Sequence, residues 1–152
     1  MRLYSVSFSA VSLAATQDLF SLTSTAGMAF RLRRIELGQT NVSSWTAFQL
    51  QLKRLSGTLT VGSGGTAPTP QKFNFGDAAA TVTARANDTT IYTATTSSIL
   101  FSRGWELLNG FFWAPTTSME EVIIAPSQAL ALTLVGTPTM TASGYIEFEE
   151  LF

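Results

Sequence analysis

Neither histidine nor cysteine occurs in these 152 residues. Without histidine the chain lacks the commonest general base, the usual activator of a serine nucleophile and the commonest nitrogen ligand for a metal. Without cysteine it has no disulfide, no thiolate nucleophile and no thiolate metal site. Charge is scarce as well. Only 12% of the residues are Asp, Glu, Lys or Arg, about half the roughly 25% of ordinary globular chains. The net charge is −1, and the cations are scattered, with Arg31, Arg33 and Arg34 the tightest group. That is no footprint for nucleic acid, and no basic arm precedes the first apolar segment. Long apolar runs are missing too, since nothing approaches the roughly 18 residues of a membrane-spanning helix. Met1 to Gln17 is not read as a signal peptide, because Ser5, Ser7, Ser9 and Ser12 break its apolar run.

What remains is apolar and hydroxylic. Apolar residues make up 45% of the chain, which excludes compositional disorder and supplies the core of a single domain over 1–152. Ser and Thr together make up a quarter. Threonine suits a pleated, half-buried surface. A surface carrying Thr and Ser in place of Lys and Glu fits strands that face water or meet other subunits.

Alternation with period two recurs along the chain. Tyr4, Val6, Phe8 and Ala10 alternate with serines over a first strand at Leu3 to Val11, and Asp18 to Thr23 forms a second. Met28, Phe30 and Leu32 share a face, then the apolar set shifts to Ile35 and Leu37, which predicts a bulge near Arg33-Arg34. Phe48, Leu50 and Leu52 mark the fourth strand. Residues 56–72 read as one long loop, rich in Gly, Thr and Pro, with Gly62, Gly64, Gly65, Pro68 and Pro70 as a candidate contact segment. We expect it to be mobile, since nothing in it is apolar enough to anchor. It lacks the Lys-Ser/Thr ending of a phosphate loop. Asp77 to Ala80 could begin a helical turn with Asp77 as its cap, and Thr81 to Arg85 a short strand. Further strands fall at Ile91 to Ser102, Trp105 to Trp113, Glu121 to Ala125, Leu130 to Val135 and Gly144 to Leu151. The expectation is an all-β, single-domain antiparallel β-sandwich of about eight main strands, with a jelly roll as the favoured topology.

Chemistry has few places to sit, and neither an enzyme nor a cofactor site is expected. Lys53 with Ser56 is a weak Ser–Lys pair. Glu120-Glu121 point to opposite faces if they lie on a strand. Glu147 and Glu149 share a face about 7 Å apart, and a solvated outer face explains them better than paired acid catalysis. Asp77 and Asp88 suit turns or caps better than calcium, for no D-x-D-x-D loop is present. The sequons at Asn41 and Asn87 carry weight only on a secretory route. The distinctive feature is the aromatic set Trp105, Phe111, Phe112 and Trp113. With Arg33 and Arg34 it forms the candidate interface, since aromatics dominate cores and subunit contacts. An exposed sugar platform is the competing reading.

The blocks Met1-Arg2-Leu3-Tyr4-Ser5-Val6-Ser7-Phe8, Gln17-Asp18-Leu19-Phe20, Leu37-Gly38-Gln39-Thr40, Gly62 to Pro70, Ala86-Asn87-Asp88-Thr89-Thr90, Gly104-Trp105 and Gly144 to Glu150 occur in an order that resembles small virion-associated proteins of tailed bacteriophages and prophages. Only Leu107 to Phe112 departs from that pattern, being more apolar. The resemblance implies a head decoration or cement protein on the outer capsid surface, made in the bacterial host cytoplasm. Its implied partners are the major capsid protein and further copies of itself, as a homotrimer, with no nucleic acid and no membrane. A carbohydrate-binding module or a receptor-facing head-fibre or tail component is the alternative, and a minor shell protein the second. The first and last strands are candidate free edges for attachment.

Overall fold

The structure, a computed structural model, describes residues 1–42, 47–106 and 108–151. Ser43 of the first sequon and Leu107 of the apolar run lie outside the described residues. Among the described residues eleven strands follow one another: β1 (Arg2–Leu13), β2 (Gln17–Thr23), β3 (Ala29–Val42), β4 (Ala47–Thr60), β5 (Gln71–Lys72), β6 (Thr83–Asp88), β7 (Thr93–Glu106), β8 (Phe111–Trp113), β9 (Val122–Ile124), β10 (Ala129–Val135) and β11 (Met140–Leu151). Eight have six or more residues and three are shorter, in keeping with the expected eight main strands. A single 3-10 turn at Ser118–Glu120 is the only helical element among the described residues.

Two antiparallel sheets pack face to face. Sheet A runs β5-β1-β11-β3-β8, with β9 also on β3, and sheet B runs β6-β2-β10-β4-β7. The pairing is nested: β1 with β11, β2 with β10, β3 with β8 and β9, β4 with β7. The chain thus behaves as one long antiparallel ribbon rolled so that successive pairs alternate between sheets. The core follows from strand alternation. Tyr4, Val6 and Phe8 from β1, Phe30, Leu32, Ile35 and Leu37 from β3, and Ile146 and Phe148 from β11 meet Leu50, Leu52, Leu130, Leu132 and Phe20 from sheet B. Phe148 stacks on Tyr4 with ring centroids 5.5 Å apart and meets Phe30 edge-on at 5.7 Å.

The bulge expected near Arg33-Arg34 is there: Glu147 pairs with Arg34 and Phe148 with Leu32, leaving Arg33 as the extra residue. It keeps both Leu32 and Ile35 in the core. Several expectations need correction. The loop read over 56–72 is shorter, because β4 continues to Thr60 and β5 begins at Gln71. Nor is it detached. Ser63 exchanges backbone bonds with Thr90 (3.0 Å each way) and Thr66 with Ala86 (2.9 Å each way), so main-chain groups anchor it where side chains cannot. Asp77 starts no helix. The turn precedes it, with the Asp77 amide donating to the Asn74 carbonyl and the Gly76 amide to Asn74 Oδ1. The last strand is no free edge, for β11 lies between β1 and β3. Finally, Trp105 and Phe111–Trp113 do not share a strand. β7 ends at Glu106 and β8 begins in the other sheet.

The outer faces of the two sheets differ. Over sheet B the segment leading into β7 folds back, and Tyr92 packs with Leu55, Ala129 and Ala131 in a second small cluster. That cover buries Asp18, which accepts from the Tyr92 amide at 2.7 Å and the Thr133 hydroxyl at 2.6 Å. Among the described residues sheet A carries no comparable cover. Sheet B ends in β6, whose outer side carries the isolated bridge from Ala86 to Thr66, and in β7, whose 14 residues pair on one side only among the described residues, with β4.

Candidate binding face

The outer face of sheet A is ordered in rows, since directly paired residues point the same way. The first row is Leu3, Glu149, Arg31 and Ile123, the second Ser5, Glu147 and Arg34, the third Ser7, Tyr145, Glu36 and Phe112, and the fourth begins with Ser143 and Gly38.

Ion pairs fill the middle. Arg31 donates to Glu121 at 2.7 Å and lies 3.4 Å from Glu149. Arg33, placed by the bulge, sits 3.8 Å from both Glu121 and Glu149. Arg34 donates to the Tyr145 hydroxyl at 3.2 Å, lies 3.5 Å from Glu36 and 3.9 Å from Glu147, and covers the Phe112 ring at 5.9 Å. Glu121 and Glu149 hold the guanidinium of Arg31 above its ordinary pKa, the bond to Glu121 being the largest cause. Three guanidiniums thus meet four carboxylates, and the belt is close to neutral. Its pairs are partly exposed and contribute orientation more than stability.

Apolar groups flank the belt. At the first-row end stand Met1 (80% exposed), whose sulfur lies 3.9 Å from Arg31, half-exposed Ile123, and half-exposed Phe73, whose amide donates to the Leu3 carbonyl. Phe75, on the turn after Phe73, is 94% exposed, and Met119, two residues before Glu121, is 95% exposed. At the other end an open groove of about 670 Å³ crosses rows three and four. Its floor is Ser7, Gly38, Ser143 and Gly144, and Tyr145, Glu36 and Phe112 flank it.

The expected interface residues separate on this map. Trp105 is buried, its indole N–H donating to the Asn109 carbonyl at 2.9 Å, and Phe111 is buried beneath Arg103. Both belong to the core. Trp113 is half-buried against Phe101. Only Phe112, 56% exposed, joins Arg33 and Arg34 on the outer face. Tyr145, Glu36 and Gly38 escaped the reading of the sequence, although Tyr145 is legible: with Ile146 and Phe148 inward, Tyr145, Glu147 and Glu149 must share the outer face.

Most of the acids singled out in the sequence have structural partners, whereas among the described residues only the main chain of Asp77 is bonded. Asp88 holds Arg85 in a two-point pair (2.6 and 2.8 Å) and accepts from the Gly65 amide at 2.9 Å. Glu120 caps the Thr116 amide and hydroxyl, which lowers its pKa. Glu150, unremarked in the sequence, is buried and accepts from the Thr81 amide, the Thr81 hydroxyl and the Val82 amide at 2.6–2.9 Å. Comparison with protein-family models, curated proteins and solved structures yields no match.

Proposed function

We propose that this chain is a non-enzymatic virion component of a tailed bacteriophage, a decoration protein that attaches to the major capsid protein and bridges shell subunits. The observation that carries the reading is the exposure of Met1, Phe73 and Ile123 at the first-row end of sheet A, with Phe75 and Met119 exposed on the segments next to Phe73 and Glu121. Soluble monomers rarely leave such groups in the open without a partner. The nearly neutral ion-pair belt beside them suits a rim, where charges set register more than affinity. The nested pairing of β1 to β11 supports a jelly-roll topology. The uncovered edge of β7, with Ile99 and Leu100 exposed on it, supports contact between copies, and we assign the working form as a homotrimer.

The test is co-sedimentation with capsids assembled from the major capsid protein. Replacing Phe73 and Phe75 together by Ser removes two exposed side chains that no core cluster contains. Occupancy at a fixed sub-saturating concentration should fall about tenfold or more, as for loss of a hot spot, with the melting temperature unchanged. Full occupancy by the double variant would place the attachment surface elsewhere, and no sedimentation of the unaltered protein would remove the decoration reading.

A further inference from the structure

We propose that the groove on the outer face of sheet A is a binding site for a neutral oligosaccharide, independent of the apolar end assigned to the shell. Its volume falls within the roughly 300–1,000 Å³ typical of small-ligand sites. It is open to solvent, which suits a chain of sugar rings that extends past it better than one enclosed molecule.

The chemistry of the walls selects the class. Anions are disfavoured because no Lys or Arg is among the lining residues, and Arg34, which contacts several of them, already serves Glu36, Glu147 and the Tyr145 hydroxyl. Cations are disfavoured because Glu36 is matched by that same Arg34. A purely apolar guest would cover the Ser7 and Ser9 hydroxyls, which line the groove, and polar groups buried without partners are costly. The Ser143 hydroxyl already accepts from the Ala10 amide at 2.8 Å and keeps its own proton to donate. What fits is a ligand with apolar faces and a hydroxyl rim. The Phe112 ring and the Tyr145 ring supply the faces, while the serine hydroxyls and the Glu36 carboxylate supply donors and acceptors. Arg34 touches Tyr145, Glu36 and Phe112 at once, so the wall is ordered before any ligand arrives and less entropy is lost on binding.

Gly38 is an independent pointer. A glycine inside a strand costs stability and often marks a close approach by a ligand or another backbone. No atom lies within 4 Å of where its Cβ would stand, and it has no positive φ. Neither packing nor backbone conformation demands glycine there, and what its missing side chain leaves is open space in the groove. Gly144 opposite differs, since a Cβ there would meet Leu37 Cδ2 at 2.6 Å and the Glu36 carbonyl at 2.8 Å.

The experiment is titration of the full chain with neutral gluco- and galacto-oligosaccharides of four to six units, followed by calorimetry and amide chemical shifts. Binding should perturb Ser7, Gly38, Ser143 and Tyr145 and change little between low and high salt, as expected without charge pairing. Gly38→Leu, which plugs the groove, and Phe112→Ala, which removes an exposed ring, should each weaken binding about tenfold or more. Both should retain the melting temperature and capsid sedimentation of the unaltered protein. The proposal is overturned if no neutral oligosaccharide binds at millimolar concentration. It is equally overturned if Gly38→Leu and Phe112→Ala bind as well as the parent, or if acidic oligosaccharides bind more tightly in a salt-dependent way. Because sedimentation is read separately, loss of sugar binding leaves the attachment reading standing, and the reverse also holds.

Discussion

At the scale of residues, the strand alternation places most side chains on the correct face, Glu150 included, since it follows Ile146 and Phe148 on the inward side of β11. Asp18 is buried as well, yet nothing in its neighbours along the chain announces it. Asp18 lies on the outer side of sheet B, and its cover comes from Tyr92, far along the sequence. A local pattern carries no record of that return. Burial raises the Asp18 pKa above the ordinary carboxylate value, and the bonds from Thr133 and Tyr92 offset it only in part. The folded chain therefore holds this proton more tightly than the unfolded chain. The stability so gained is complete below the unfolded pKa and is lost as pH rises through the folded one. Asp18→Asn cannot titrate and also loses one acceptor, so it should be less stable than the parent. That deficit should shrink between about pH 4 and pH 7. Urea-unfolding free energies at the two pH values check it, and a deficit that is constant or grows with pH contradicts the assignment.

At the scale of elements, strand positions were legible because the apolar period holds, while two connections were not. The aromatic run Trp105 to Trp113 reads as one strand because both its ends are apolar. In the structure it crosses from sheet B to sheet A, so Trp105 and Phe111 reach the core from different sheets. The glycine-rich segment reads as mobile because its side chains are small, but its main chain lies against β6 and the residues after it. A Cβ on Gly65 would stand 2.1 Å from the Ala86 carbonyl oxygen. Gly65→Ala must therefore push the segment away from β6. The two Thr66–Ala86 bonds and the Gly65–Asp88 bond are the ones at risk. At about 1 kcal/mol each, the expected loss is about 2–3 kcal/mol in chemical denaturation. Thr69→Ala, at an exposed position whose side chain makes no bond, should cost close to nothing. Equal stability of the Gly65 variant and the parent would restore the segment as a loose appendage.

At the scale of the whole molecule, the sandwich closes its core between two sheets and covers part of sheet B with its own chain, which leaves the outer face of sheet A and the edge of β7 uncovered among the described residues. A protein attached in this way, as proposed, stabilises a shell without chemistry. It binds the assembled state and not the separated subunits, so the gain follows mass action, about 2.7 kcal/mol per site at a free concentration one hundred times the dissociation constant. A trimer that holds several subunits at once gains further from effective concentration. The prediction concerns the temperature at which DNA-filled shells release their genome, read by a dye that binds free DNA. Decorated shells should release at a higher temperature than stripped ones, and the difference should grow with the logarithm of free protein concentration. The double variant at Phe73 and Phe75 should give little protection at that concentration and recover it when its concentration is raised, because only its affinity is changed. Shells that fail at the same temperature with and without saturating protein would mean that the chain rides on the virion without cementing it. The saccharide groove would then be the better guide to what it does there.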